Sequence, residues 1–157
     1  MPSTSLKDTL QDDLTTAMRS RDELRAATLR MALTAVKAEE VAGKAARELS
    51  DEEVLKVLQR EAKKRKEAAE AFAGAGRADS AQRERDELGV LEGYLPAPLS
   101  DEELSSIIDD AVIVATGEGL TGMGAMGAVM TAVRGKVAGR ADGGRIAAAV
   151  KARLQTG

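Results

Sequence analysis

The chain has 157 residues, 43% hydrophobic but only 1% aromatic, with Phe72 and Tyr94 as its two large rings. It contains neither cysteine nor histidine, which excludes disulfides, thiolate nucleophiles, Cys-ligated metals and the usual general base. Its net charge of −3 hides a polarised distribution: residues 1–100 carry 17 basic and 19 acidic side chains, residues 101–118 six acidic and none basic, and residues 119–157 six basic and one acidic. A core limited to Leu, Val, Ile, Met and Ala favours helices over strands, so the expected fold class is all-α. No apolar run follows Met1-Pro-Ser-Thr-Ser5, and no segment approaches the ~20 apolar residues of a membrane span. The expectation is a soluble cytoplasmic protein without a signal peptide.

Residues 5–19 read as a first helix, with Ser5 as cap and Leu6, Leu10, Leu14 and Met18 at four-residue spacing. Ser20 and Glu23 stand in capping-box places for a second helix, from about Arg21 to about Val41. Ser50 and Glu53 start a third helix, with Leu49 and Val54 as the hydrophobic pair across its cap. Val54, Leu58, Ala62, Ala69 and Phe72 mark its buried stripe. Its basic run, Arg60, Lys63, Lys64, Arg65 and Lys66, alternates with Glu61, Glu67 and Glu70 and reads as a solvated, self-paired face. After the turn at Gly74-Ala75-Gly76 a fourth helix covers about 80–94, antiparallel to the third because the connection is short.

The stretch Leu91–Leu104 is a joint. Pro96 and Pro98 stop the fourth helix near Tyr94 or Leu95, and Ser100 with Glu103 opens a fifth. Leu104, Ile107, Ile108, Ala111 and Val112 give that helix its apolar face, and Thr116–Gly119 breaks it. Thr121 is the expected start of a sixth helix carrying Met123, Met126, Val129, Met130, Val133 and Val137. Asp142 caps a last helix with Ile146, Val150 and Leu154 at four-residue spacing. The expected organisation is an N-terminal domain of about four helices in two hairpins, residues 1–95, and a small three-helix domain, residues 96–157. Nine of the fifteen glycines fall between Gly117 and Gly144, so the second domain is expected to be the less stable half.

Gly122-Met-Gly-Ala-Met-Gly127 matches G-x-G-x-x-G, and Asp142 lies 20 residues after Gly122. A dinucleotide site also needs a strand before the turn and a second strand after its helix. Arg145–Leu154 is Ala-rich and helical, so a helix start with close packing is the preferred reading. Adjacent carboxylates such as Asp109-Asp110 or Glu39-Glu40 point about 100° apart on a helix and make no ready acid–base pair. The expectation is therefore no catalytic residue, no cofactor and no metal. The basic tail is the candidate site: Arg134, Lys136, Arg140, Arg145, Lys151 and Arg153, with Asp142 as the only acid in that segment. Arg140 and Arg145 flank a Gly-rich turn that opens a helix N-terminus, an arrangement suited to phosphate. No aromatic residue interleaves the cations, so contact would be with phosphate and shape, not stacked bases.

Arg21–Met31, Leu49-Ser-Asp-Glu-Glu-Val54, Leu91-Glu-Gly-Tyr-Leu-Pro96, Met126-Gly-Ala-Val-Met130 and Gly139-Arg-Ala-Asp-Gly143, taken in this order, resemble the GatB/YqeY family, and its stand-alone YqeY-like members in particular. The resemblance spans nearly the whole chain. It implies an all-helical protein of two units whose C-terminal domain is shared with the tail of the B subunit of the glutamine-dependent tRNA amidotransferase. That tail is implicated in holding tRNA, and the amidotransferase chemistry belongs to other domains with no counterpart here. Gly122-Met-Gly-Ala125 stands where the family usually has a more polar helix start, and Arg140 is the first residue to carry over. The leading expectation is a non-catalytic adaptor for tRNA or another structured RNA, beside an amidotransferase or translation-associated protein. A second reading is a protein-interaction module without RNA binding, motivated by Met123, Met126 and Met130. A third is a participant in glutamine-dependent amidation of misacylated tRNA.

Overall fold

The computed structural model describes residues 4–156. Met1–Ser3, at the head of the segment read for a signal peptide, and Gly157 lie outside them. The described residues form seven α-helices and one 3₁₀ turn, with no strand among them, so the chain is all-α as expected. They fall into two compact units, Met1–Leu95 and Pro96–Gly157. No single helix among the described residues is long and apolar enough to cross a membrane.

The first unit comprises α1 (Leu6–Arg19), α2 (Glu23–Glu40), α3 (Asp51–Gly74) and α4 (Ala78–Glu92). Ser5 caps α1, its hydroxyl accepting from the Asp8 amide at 3.1 Å. Ser20, expected to cap α2, instead closes α1. Its hydroxyl donates to the Ala17 carbonyl at 3.2 Å, Arg21 adopts a left-handed φ of 59°, and the Asp22 amide returns to the Ala17 carbonyl at 2.9 Å. Closing α1 in this way uses up residues 20 and 21, so the cap of α2 falls to Asp22, which accepts from the Arg25 amide at 3.1 Å.

The cap of α3 is as read: the Glu53 amide donates to the Ser50 hydroxyl and the Ser50 amide to Glu53, both at 3.2 Å. Arg47 also clasps Glu53, and together these partners hold its carboxyl down at about 2. Glu40, buried at the end of α2, accepts from Lys7 at 2.8 and 3.1 Å and from the Leu49 amide at 3.2 Å. One carboxylate thus ties the start of α1, the end of α2 and the entry to α3. Within this frame Leu10 of α1, Leu29, Ala32 and Val36 of α2, Val54, Val57 and Leu58 of α3, and Leu91 of α4 form the core. Phe72 is only half-buried, with the Arg77 guanidinium 4.9 Å over its ring, because the chain turns away just beyond it.

Arg65 departs from the reading of a solvated basic face. It is 4% exposed, held between Glu61 of its own helix at 3.3 Å and Glu87 of α4 at 3.5 Å. Residues 65 and 87 lie equally far from Gly76, so this bridge sets α3 and α4 antiparallel in register. The 3.5 Å contact is too long and misaligned for a hydrogen bond, and the buried Arg65 Nε has no hydrogen-bond partner among the described residues. Lys64 and Arg83 approach the two glutamates from solvent at 3.1 and 3.4 Å. At the far end of α4, the Tyr94 hydroxyl donates to Asp13 at 2.5 Å and accepts from Arg25 at 3.0 Å. This pins the last turn of the unit onto α1 and α2. Burial, and then the bond to Asp13, push the Tyr94 hydroxyl up to about 12.

The second unit comprises α5 (Asp101–Gly117), the 3₁₀ turn Gly122–Ala125, α6 (Met126–Val137) and α7 (Gly143–Thr156). Ser100 and Glu103 form the expected capping box, with bonds of 3.1 and 3.3 Å. Thr121 makes no side-chain cap bond. The chain instead enters α6 through the 3₁₀ turn, which starts at Gly122 with φ 54°. The core is fuller than the Gly-rich sequence promises. Among the described residues it holds thirteen buried apolar side chains against fourteen in the longer first unit, with Leu104, Ile108, Val129, Val133, Ile146, Val150 and Leu154 at its centre. The short helices bury small and branched side chains on one face each, and so pack closely without aromatic residues.

Two outcomes follow for the first unit. Arg65→Met leaves Glu61 and Glu87 buried without their shared cation, and urea denaturation should register a loss of about 3 kcal/mol. The triple variant Glu61→Leu, Arg65→Met, Glu87→Leu should return close to the wild type; equal losses in both would assign the effect to packing. Tyr94 is the single tyrosine, so tyrosinate absorbance reads it alone. Its midpoint should lie near 12 and fall toward the ordinary value of about 10 in Asp13→Asn. Because the folded value is raised, the stability Tyr94 contributes is complete below pH 10.0 and is lost as pH rises toward about 12; in Tyr94→Phe that component of the alkaline decline should vanish.

Candidate functional site

The basic residues of the second unit divide into two sets according to what α5 offers them. The capping box sets the start of α5, and Asp142 sets the start of α7, its carboxylate accepting from the Arg145 amide at 2.9 Å. With both ends fixed, Asp101 and Asp109 on α5 and Arg145 and Arg153 on α7 share an eight-residue spacing, about 12 Å along a helix. They pair across the interface: Arg145 with Asp101 at 2.7 Å and Arg153 with Asp109 at 2.8 Å. Between these pairs lies a groove of about 220 Å³ over Leu104, Ile108 and Ala149.

Arg140 and Arg145 also hold the stretch of chain on either side of Pro98. Arg140 Nε donates to the Ala97 carbonyl at 2.9 Å, and its own carbonyl accepts from the Leu99 amide at 3.0 Å. Arg145 donates to the Leu99 carbonyl at 2.9 Å. The Arg140 guanidinium also stands 3.7 Å from Glu103. Ser100, with the Arg140 charge adding to it, keeps the Glu103 carboxyl below the usual carboxylate range. The turn Gly139–Gly143 is therefore a clasp around Ala97–Leu99.

Arg134, Lys136 and Lys151 form the second set. All three are exposed, and none makes an ion pair with the described residues. Arg134 and Lys136 are two positions apart, about 200° around α6, and flank its buried row of Val129, Val133 and Val137 on opposite sides. Lys151 follows the buried Val150 on α7. The six candidates thus do not converge on one patch. Their acidic partners Asp101, Glu103 and Asp109 were missed by reasoning within the tail alone. The signal available was the segregation of six acids into 101–118 and six bases into 119–157, together with the matched eight-residue spacings.

Ala111–Ala115, ahead of G-x-G-x-x-G, lies inside α5, so the strand that a dinucleotide turn requires is not there. Asp109 faces Arg153 while Asp110 is exposed, and Glu39 reaches Arg60 at 3.2 Å while Glu40 reaches Lys7; neither adjacent pair acts together. Among the described residues no group of three or more acidic side chains is placed to hold a metal ion. The methionines separate: Met130 is buried, Met126 half-buried and Met123 49% exposed.

Comparison with known proteins matches this arrangement to one family. The family model described as Yqey-like protein matches residues 7–154, through both units. A protein of Schizosaccharomyces pombe described as uncharacterized is 34% identical over 98 residues, covering 62% of this chain and 77% of that protein. The match runs from the first turn of α1 to the last turn of α7, and on it the chain belongs to the Yqey-like protein family.

Proposed function

We propose that this protein is a non-catalytic adaptor that binds tRNA or another structured RNA through residues 119–157. The observation that carries the reading is the set of exposed cations left over after α5 has paired its carboxylates: Arg134, Lys136 and Lys151. In a segment of net charge +5, these three are the ones available to phosphate. Arg153 adds to them, since it is tied to a half-exposed side chain, Asp109, and not to the backbone as Arg140 and Arg145 are. Arg140 and Arg145 have a different role, holding Ala97–Leu99 so that α6 and α7 keep their places. Both aromatic residues belong to the first unit, so recognition by the second unit rests on phosphate and shape. Its resemblance to the tail of the tRNA amidotransferase B subunit points to tRNA as the first RNA to try, with an amidotransferase or translation-associated protein as the partner that supplies any chemistry.

A salt series of tRNA binding followed by fluorescence anisotropy tests this. Arg134→Gln, Lys136→Gln, Lys151→Gln together should weaken binding at low salt and reduce the slope of log K against log salt by about 2, given roughly 0.7–0.9 for each phosphate that a cation neutralises. Unchanged affinity and slope would rule out RNA contact by these three residues. Arg140→Ala with Arg145→Ala should lower the melting temperature by several degrees through release of Ala97–Leu99, a loss of fold that the glutamine triple should not show.

A further inference from the structure

The second unit carries another surface, at the corner where α5 ends, and its chemistry is opposite to that of the cations above. Buried Leu104, Ile108, Ala111 and Ala115 define the inward face of α5. On its last two turns Ile113 and Val114 point away from that face and are 67% and 61% exposed. The chain then folds back: Gly119 takes φ 85° and the Leu120 amide donates to the Ala115 carbonyl at 3.0 Å. This return brings Leu120 and, three residues on, Met123 to the same end of the helix, and both are exposed. Four large apolar side chains left out of the core within residues 113–123 are more than the scattered exposure that needs no explanation. The glycines among them fence nothing off, for a Cβ at Gly117, Gly119, Gly122 or Gly124 would meet nothing within 4 Å. A partner's backbone can therefore approach closely.

Charge identifies the partner. No lysine or arginine occurs between Arg85 and Arg134. Of the six acids on and just after α5, Asp101, Glu103 and Asp109 are matched by the arginines of the clasp and of α7. Asp110 and Glu118, which border the apolar corner, are exposed and have no cation among the described residues. An apolar patch with an acidic rim repels RNA and anionic lipid alike, and is complementary to an apolar stripe edged with lysine or arginine. We propose that this corner docks a basic amphipathic helix of a protein partner, with Ile113, Val114, Leu120 and Met123 receiving its apolar face and Asp110 and Glu118 its cations. The inference does not depend on RNA binding by Arg134, Lys136 and Lys151, which involves other residues and the opposite sign of charge.

Methyl-detected NMR of the full chain supplies the test, with a synthetic amphipathic Leu/Lys helical peptide as probe and a Leu/Glu peptide of the same pattern as its control. The Leu/Lys peptide should shift the methyl signals of Ile113, Val114, Leu120 and Met123, and the Leu/Glu peptide should not. Ile113→Ser with Val114→Ser should weaken binding at least tenfold with an unchanged melting temperature, since both side chains are exposed. Asp110→Asn with Glu118→Gln should weaken it and flatten its salt dependence, while Glu67→Gln with Glu70→Gln on α3 should do neither. The proposal is overturned if both peptides bind equally well, or if the serine variant binds as the wild type does. It also fails if vesicles of phosphatidylcholine and phosphatidylglycerol perturb these methyls more than the peptide does, or if the same signals move with protein concentration alone, which would make the occupant a second copy of the chain.

Discussion

The pairing of α5 carboxylates with arginines from α7 and the turn before it organises the second unit. Its contribution to stability is not where its importance lies. Asp101 is 98% exposed on its side chain, and bridges of this kind are worth about 0–1 kcal/mol each. Their weight is in what they occupy. Arg140 and Arg145 each spend a guanidinium N–H on the backbone of Ala97–Leu99 as well as facing an acid, so two of the most conspicuous cations in the chain are spoken for by the fold. What remains on the surface is a remainder, and both proposed roles rest on it.

The remainder has two signs. On α6 and α7 it is positive, at Arg134, Lys136 and Lys151. At the end of α5 it is negative, at Asp110 and Glu118, beside apolar side chains that the small core leaves outside. The positive remainder is spread around α6 and onto α7, whereas the negative one is confined to α5 and the residue after it. RNA on the cations and a basic helix at the end of α5 would make the unit a connector.

The first unit solves a different problem. Its fully buried core holds no aromatic ring among the described residues, Tyr94 packing only against its edge, and polar groups do part of the joining that large rings would otherwise do. Glu40 gathers three chain segments, Tyr94 ties α4 to α1 and α2, and Arg65 bridges α3 and α4. Each is directional, so each sets register as well as adhesion. The cost is a buried guanidinium with an unbonded Nε–H, tolerable because two glutamates face it and two further cations sit outside them.

Local patterning determined the all-α class, all seven helices, and the caps at Ser5, Ser50, Ser100 and Asp142, because capping and helical periodicity involve residues only three or four apart. The same short range explains the failures. Ser20 and Asp22 have equal capping chemistry, and only the left-handed turn at Arg21 assigns the first to α1 and the second to α2. Arg65 has the sequence surroundings of a solvated lysine, and only α4 folding back with Glu87 buries it. In the tail, the sequence displayed all six cations but not their availability. An arginine and an aspartate 44 residues apart, as Arg153 and Asp109 are, meet only once two helices pack, and that packing left Arg134, Lys136 and Lys151 without a carboxylate beside them.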